Sequence, residues 1–256
     1  MQLPVIRPAQ LPALSARWTV AALGALPPAE QLATCDQCVQ LPAAGQPMGE
    51  DQYHPDTKCC TYLPVLYNFQ AGALLDDPAV SAEGRASVEA RIAAGQGVAP
   101  HGLEGTNAFI AIYRQEQFGR DRSLRCPHYL PASGNCGVWQ HRNATCTTWF
   151  CRCDRGKASF DFWRRGLHPL LRCIEDAVTD WAVGALGAKA DDFGRWQDPR
   201  AFYRASALAV AELSWQQIRA LGGRELDGLI VQARKLHRAL LAAPLHPTGV
   251  PGPDGN

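Results

Sequence analysis

The chain has 256 residues, of which 46% are hydrophobic and 19% charged, so it can bury a sizeable core and is expected to be globular. Lys and Arg number 25 against 24 Asp and Glu, and the resulting net charge of +1 gives no overall attraction to nucleic acid or to an anionic membrane. No segment approaches the roughly 20 apolar residues that a membrane-spanning helix needs. We therefore expect neither a nucleic-acid partner nor a membrane partner.

The two ends of the chain differ in composition from its middle. Residues 1–34 are rich in Pro and Ala, which predicts an extended N-terminal arm with one short helix. Residues 246–256 have the composition of a disordered tail. Residues 35–245 are expected to form a single domain, because no linker or internal repeat divides them.

Helical patterns dominate that domain. Residues 62–75 are apolar enough to pack as a helix or a strand. Helices are predicted over 81–95 and 107–119, and from residue 161 onward the period is helical again, with Pro169 expected to break or kink the first helix there. The predicted fold class is mainly α, with a helical body, cysteine-rich metal-binding loops and little strand.

The ten cysteines make up about 4% of the residues, well below the density of small disulfide-stapled secreted domains. Cys59 and Cys60, and likewise Cys151 and Cys153, are too close in sequence for ordinary disulfides. Thiolate ligation of a metal tolerates such spacings, so metal binding is favoured over bridges, and a reducing cytoplasm is the expected compartment.

Nine of the cysteines fall into two groups. The first reads Cys35-x2-Cys38-x20-Cys59-Cys60, and the second reads Cys126-x9-Cys136-x9-Cys146-x4-Cys151-x-Cys153. A C-x-x-C turn places two thiolates on one side of a loop, which suits either tetrahedral zinc or an iron–sulfur cluster. Pro, Gly and Asn interrupt every period in the second group, so its order must come from something other than backbone ladders.

The second group lies in a basic stretch. Residues 120–165 contain nine Arg or Lys and three acids. Cations stabilise thiolate anions, and Arg142 is one of several that lie close to cysteines. A basic surface for an acidic protein partner or substrate is the competing interpretation of the same stretch.

These motifs resemble the YkgJ-type cysteine-cluster family of zinc- or iron-chelating domains, to which flagellin lysine-N-methylase is related. Cys126-Pro127 followed by Cys136-Gly-Val-Trp-Gln-His-Arg-Asn-Ala-Thr-Cys146 is similar to the tail motif of that family, with Arg142 in the place of its arginine. Asn143 stands where the family has Pro, and the head motif is lengthened by the segment before Cys59. The resemblance implies metal binding and, more remotely, methyl transfer to a protein side chain.

The residues and the resemblance together predict eight thiol ligands, enough for two zinc ions or two clusters. They are Cys35, Cys38, Cys59, Cys60, Cys126, Cys136, Cys146 and Cys151. Cys153 is then spare, and Cys173 is expected to pack as a small apolar residue in a helix. His54, His128 and His141 are expected to be hydrogen-bonded or solvated instead of ligating. Five aromatic residues are expected to shield the cluster from water, namely Tyr53, Tyr129, Trp139, Trp149 and Phe150.

Three functions are compatible with these patterns. The first is a metal-binding protein that holds iron–sulfur clusters or zinc in an accessory or redox role. The second is a protein-modifying enzyme resembling the lysine N-methylase, although no glycine-rich nucleotide motif supports S-adenosylmethionine as its cosubstrate. The third is a structural zinc module that presents its helices to a protein partner.

Overall fold

A computed structural model describes residues 11–31, 35, 38–63, 65–113, 118–190, 192–195, 197–246 and 250–251. The molecule is 54% helical and 6% strand, which confirms the mainly α prediction.

The helices lie in chain order as α1 Ala13–Leu23, α2 Asn68–Asp76, α3 Ala82–Ala93, α4 Asn107–Tyr113, α5 Ala144–Thr147, α6 Lys157–Phe160, α7 His168–Ala185, α8 Pro199–Glu212 and α9 Trp215–Ala242. Short 3-10 turns span Arg122–Leu124 and Trp139–His141, and a π-helical segment spans Asp161–Leu167. The described residues also form seven two-residue strands, β1 Leu66–Tyr67, β2 Val98–Ala99, β3 Gly102–Leu103, β4 Tyr129–Leu130, β5 Asn135–Cys136, β6 Arg152–Cys153 and β7 Val250–Pro251. They pair antiparallel in the orders β1-β3-β2, β4-β5 and β6-β7.

The larger hydrophobic core lies between α1, α7, α9 and the π-helical segment. Trp18 of α1 and Trp163 of the π-helical segment are each 1% exposed, and Phe162 is fully buried beside them. Large aromatic side chains removed from water in this way supply much of the free energy of folding.

A second core joins α2 to α8. Gly72 is the point of closest approach, because a Cβ atom there would lie 1.8 Å from the carbonyl oxygen of Tyr203. Only a residue without a side chain lets the two backbones meet at this distance. Tyr203 itself is fully buried.

The predicted helix over 81–95 is found as α3, which begins after Ser81, whose hydroxyl accepts from the Gly84 N–H at 3.0 Å as a helix cap does. The predicted helix over 107–119 is described up to Tyr113, as α4, and residues 114–117 lie outside the described residues. Pro169 is the second residue of α7, and the disturbance of the helix lies in the π-helical segment that directly precedes α7. The helical pattern predicted from residue 161 onward is divided at Ser214, which forms a capping box with Gln217 and begins α9.

The described residues near the two ends of the chain contact the body. Within 11–31 the expected short helix is α1, and it packs into the main core. Near the other end, β7 pairs with β6, and the His246 N–H donates to the carbonyl of Asp154 at 2.8 Å. Residues 1–10 and 252–256 of the predicted arm and tail lie outside the described residues.

No helix in the described part of the chain is long and apolar enough to cross a membrane.

Candidate functional site

Two cysteine-bearing loops, the head loop (residues 35–60) and the tail loop (residues 126–153), lie against each other. The Cys126 N–H donates to the Cys60 carbonyl at 2.7 Å. The Lys58 ammonium donates to the carbonyls of Cys35 and Gly134, each at 2.8 Å, and so joins the start of the head loop to the tail loop. Hydrogen bonds to carbonyls, and not a shared sheet, therefore connect the two loops.

The head loop is anchored by the turn at Gly119. The His54 N–H donates to the Gly119 carbonyl at 2.6 Å, and the Gly119 N–H donates to the Thr61 hydroxyl at 2.5 Å. Gly119 has a φ of 74° and lies under the Tyr53 ring, 2.2 Å from where a Cβ atom would stand. The turn thus requires glycine both for its backbone conformation and for its packing.

The tail loop is anchored to the body through α5, which carries Cys146. Asn143 caps α5 by accepting from the Cys146 N–H at 3.2 Å, and its amide donates to the Val65 carbonyl at 3.0 Å. Glu175 of α7 is fully buried and accepts from the Ala144 N–H at 2.9 Å. The contact satisfies one of the backbone N–H groups that have no partner within the first turn of a helix.

The tail loop also contacts α3. A Cβ atom on Gly84 would lie 2.1 Å from the Gly137 carbonyl oxygen, so the helix and the loop touch through their backbones. The Gly137 N–H donates to the His128 carbonyl at 2.7 Å. Gly137 is therefore held between α3 of the body and the His128 carbonyl of its own loop.

All eight predicted ligands are brought into one neighbourhood. Thiols from the head loop and the tail loop interact electrostatically with each other. The interacting pairs include Cys35 with Cys59 and Cys151, Cys38 with Cys59, Cys151 with Cys38 and Cys59, Cys136 with Cys59, Cys126 with Cys136, and Cys146 with Cys136, Cys126 and Cys59. Cys60 is hydrogen-bonded to Cys59.

Burial, with a smaller contribution from neighbouring thiols, raises the pKa of Cys126 and Cys151. Desolvation, followed by the neighbouring Cys136 thiol, raises the pKa of Cys126 to about 12. Desolvation, followed by Cys38 and Cys59, raises the pKa of Cys151 to about 11. Packed thiols of this kind deprotonate when a cation enters among them, because the cation reverses the sign of the local field.

Two buried guanidinium groups lie beside the tail-loop thiols. Arg142 is 7% exposed, stacks at 3.4 Å over the Trp139 ring and donates to the Trp139 carbonyl at 2.9 Å. Its charge interacts with Cys136 and Cys146 and, across the loops, with Cys35 and Cys60. Arg91 of α3 is 3% exposed and interacts with Cys126. Both guanidinium groups stay charged at physiological pH.

The histidines near the cysteines have other partners, as predicted. His128 is 3% exposed, and its ring nitrogens lie 2.8 Å from the Ser87 hydroxyl and 3.3 Å from the Arg91 guanidinium. Since Arg91 can only donate, the nitrogen facing it accepts, and the other ring N–H donates to Ser87. His141 contacts the Asp77 carboxylate at 2.8 Å, and the His54 ring accepts from the Asp56 N–H at 3.1 Å.

The two remaining cysteines lie outside this neighbourhood or at its edge. Cys173 packs against the main core from α7, as predicted. Cys153 is 2% exposed, and its electrostatic neighbours are Glu30, Asp154 and Cys151. Glu30 in turn accepts from the Trp163 indole N–H at 2.7 Å and from the Asp154 N–H at 2.5 Å, so Cys153 borders a buried carboxylate network.

The predicted aromatic residues have different surroundings. Trp139 lies under the Arg142 guanidinium, and Trp149 lies under that of Arg164 at 4.3 Å. Phe150 packs on Trp163 with ring centroids 4.7 Å apart, so it belongs to the edge of the main core. Trp139 is thus next to Arg142, which in turn interacts with the tail-loop thiols.

Within the described residues no three cysteine, histidine or carboxylate side chains already have the arrangement of a metal site. The donor set nevertheless fits a thiophilic metal in its chemistry, because it consists of thiols with guanidinium groups beside them. The assignment of the eight cysteines as ligands stays a prediction.

Comparison of the chain with protein-family models, with curated proteins and with solved structures finds no match in any of the three. The resemblance to the YkgJ-type family therefore stays a prediction from motifs.

Three residues that support the site were missed in the sequence. Glu175 lies on the apolar face of α7 between Leu171 and Val178, and an acid at such a position is a readable signal of a buried polar contact. Lys58 and Glu30 gave no signal, because their partners lie far away in sequence.

Proposed function

We propose that this chain is a metal-binding protein that holds iron–sulfur clusters or zinc between its head and tail loops, in an accessory or redox role. The observation that carries the proposal is the convergence of eight thiols from two distant segments into one electrostatically coupled neighbourhood. Thiol-only surroundings select zinc, copper(I) and iron–sulfur clusters over hard cations such as Mg²⁺. When bound, the group would supply either a structural cross-link or an electron-transfer centre.

So many ionisable thiols in one partly buried region argue for a ligand more than for packing alone. A buried thiol behaves as a small hydrophobic residue, and one or two of them in a core need no further explanation. Here repulsion between neighbouring thiolates contributes to the raised pKa of Cys146, which desolvation chiefly raises. A bound cation would remove that repulsion and would favour the thiolate form at every position at once.

Metal binding should also complete the fold of the loops. The thiols would have to be drawn together from their present positions, and the head loop is held mainly by hydrogen bonds to carbonyls, among them those of Lys58. Coupling of metal binding to the ordering of ligand loops is common for thiolate sites. A reducing compartment such as the cytoplasm would keep these thiols available. The basic stretch over 120–165 remains the proposed contact for a protein partner.

Purification without oxygen, followed by an absorption spectrum and by analysis for iron, zinc and acid-labile sulfide, tests the proposal. Iron with sulfide and a broad thiolate-to-iron charge-transfer band would support clusters. Colourless protein with stoichiometric zinc would support zinc and exclude the redox role. A chain that binds neither after anaerobic reconstitution would refute the proposal.

Substitution of Cys136 by Ser is expected to reduce the metal content, and substitution of Cys173 by Ser is not. Cys173 is a suitable control because it lies in α7 against the main core. Retention of the full metal content by Cys136→Ser would refute its assignment as a ligand.

A further inference from the structure

A row of aromatic rings lies between helix α4 and the π-helical segment. Phe109 stacks on Tyr113 with ring centroids 6.1 Å apart. Tyr113 meets Phe118 edge-on at 6.5 Å, and Phe118 contacts Trp149 at 5.8 Å. The four rings are therefore in continuous contact, although they come from three separate parts of the chain. They are called the aromatic ridge below.

The aromatic ridge lies at the surface of the molecule. Each of its four rings is half-buried, and α4, whose sequence NAFIAIY is mostly apolar, has no buried residue. Ile110 of this helix is 40% exposed. Single exposed apolar residues are ordinary at protein surfaces, whereas a connected set of them is typical of a surface that binds a partner.

Two guanidinium groups lie beside the aromatic ridge. That of Arg164 stacks 4.3 Å over the Trp149 ring, and that of Arg120 donates to a backbone carbonyl of the head loop. Among the described residues neither arginine forms an ion pair, whereas Arg165, next to Arg164 in the chain, pairs with Asp161 at 3.4 Å. A guanidinium that stacks through its face keeps the N–H groups at its edge for a carboxylate. The charge at this surface is therefore complementary to an acidic partner.

The arrangement of the rings favours a protein segment over single-stranded nucleic acid. Tyr113 and Tyr53 each meet Phe118 with an angle of 89° between the ring planes. The surface therefore presents ring edges, together with the aliphatic side chain of Ile110. Successive nucleotide bases stack on open ring faces and need cations along the whole backbone. Apolar side chains pack on edges and on aliphatic groups equally well.

We propose that the aromatic ridge, with Ile110, Arg164 and Arg120, is a docking surface for an acidic protein segment that carries apolar side chains. The apolar side chains of the segment pack on the rings and on Ile110, and its carboxylates pair with the two guanidinium groups. This inference rests on the part of the proposed function that assigns a protein contact to the basic stretch, and it names the chemistry of that partner. It requires no metal.

Fluorescence anisotropy of the full chain with labelled peptides tests the surface. The probe is a peptide of alternating Glu and Phe, and the two comparison peptides replace Phe by Ser or Glu by Lys. We expect the first peptide to bind about 10-fold more tightly than either of the others, because each comparison removes one of the two kinds of contact. Added salt should weaken the binding, since the ion pairs are at the surface.

Two matched pairs of variants locate the peptide on the molecule. Arg164→Gln should weaken binding by about 10-fold, whereas Arg165→Gln should not, because Arg165 is already paired with Asp161. Ile110→Ser should weaken binding, whereas Val231→Ser should not, although Val231 of α9 is 69% exposed. All four positions are partly or fully exposed, so each variant should fold, which circular dichroism checks.

The outcomes separate this surface from metal binding. Equal binding of the Glu–Phe and Glu–Ser peptides, no binding of either, or equal losses within a pair of variants would overturn the proposal. Tighter binding of oligothymidylate than of the Glu–Phe peptide would assign the surface to nucleic acid and would also overturn it. The metal content of the same samples is measured in parallel. A metal-loaded chain that ignores the peptides refutes the docking surface alone, and a chain that binds the Glu–Phe peptide but takes up no metal after reconstitution refutes metal binding alone.

Discussion

The helical body and the cysteine loops are ordered by different means. In the body, α1, α7 and α9 bury large apolar side chains such as Trp18 and Ile174, and the fold there follows from packing. In the loops, half-buried thiols are surrounded by hydrogen bonds from Lys58 and Asn143 to carbonyl groups. Packing makes the body stable without a ligand, whereas the loops contain donors that a metal would use. A substitution in the body should therefore change mainly the free energy of unfolding, whereas a substitution in the loops should also change the affinity for metal.

The largest expected effect is in the body, at Gly72. Gly72→Ala places a Cβ atom against the Tyr203 carbonyl oxygen, and the backbones of α2 and α8 must separate to admit it. We expect a loss of about 3 kcal/mol in the free energy of unfolding, measured by urea denaturation. Gly184→Ala in α7 is the control, since nothing lies within 4 Å of a Cβ there, and it should stabilise by roughly 0.5 to 1 kcal/mol. Equal destabilisation of the two variants would contradict this account.

Removal of metal should affect the loops more than the body. A chelator added to the metal-loaded chain is expected to leave the far-ultraviolet helical signal largely intact, because the cores contain none of the proposed metal ligands except Cys136. The near-ultraviolet signal should change, since Trp139 stacks under Arg142 beside the thiols. Loss of the helical signal together with the metal would show that the body is not independent of the loops.

A pH effect is expected where the two regions meet, at Glu175. Desolvation raises the pKa of this carboxyl to about 8 in the folded chain, against 4.5 when it is exposed. Between these two pKa values the folded state holds a proton that the unfolded state releases, so the contribution of Glu175 to stability should be full below about pH 4.5 and be lost as the pH rises towards 8. The slope should reach about 1.4 kcal/mol per pH unit at most.

The Glu175→Gln variant tests whether Glu175 causes this pH dependence of the free energy of unfolding. The amide oxygen can accept from the Ala144 N–H and the Gln70 amide as the carboxylate does, but it does not titrate. Urea unfolding at several pH values should show a flatter profile for the variant and greater stability than the wild type at pH 8. An unchanged profile would assign the pH dependence to another group.

The two regions also differ in how far the sequence predicts them. Helix α3 followed from the spacing of Val88 and Ile92, four residues apart, and from Gly95 at its end, signals that act within a few residues. The packing of α1 into the main core was missed because the prolines on either side of it, Pro12 and Pro27, outweighed the buried pair Trp18 and Ala22, four residues apart. The sequence predicts the eight cysteines as one set but not which of them are neighbours. The contacts between Lys58 and Gly134 and between Cys60 and Cys126 depend on the tertiary fold.

The smallest expected effects come from removing one helix cap in each region. Ser214 caps α9 in the body by accepting from the Gln217 N–H at 3.3 Å, and Asn143 caps α5 in the tail loop by accepting from the Cys146 N–H. Each Ala variant should cost about 1 kcal/mol in the free energy of unfolding.

Their metal affinities should differ. Asn143→Ala removes the group that fixes the Cys146 backbone and should weaken Zn²⁺ binding by the chain, whereas Ser214→Ala should leave that affinity unchanged. Zn²⁺ competition and urea unfolding on the same two variants measure both quantities. If Asn143→Ala lowered stability without any change in Zn²⁺ affinity, α5 would be a part of the body that happens to carry a cysteine, and the boundary between the two regions would have to be drawn after Cys146.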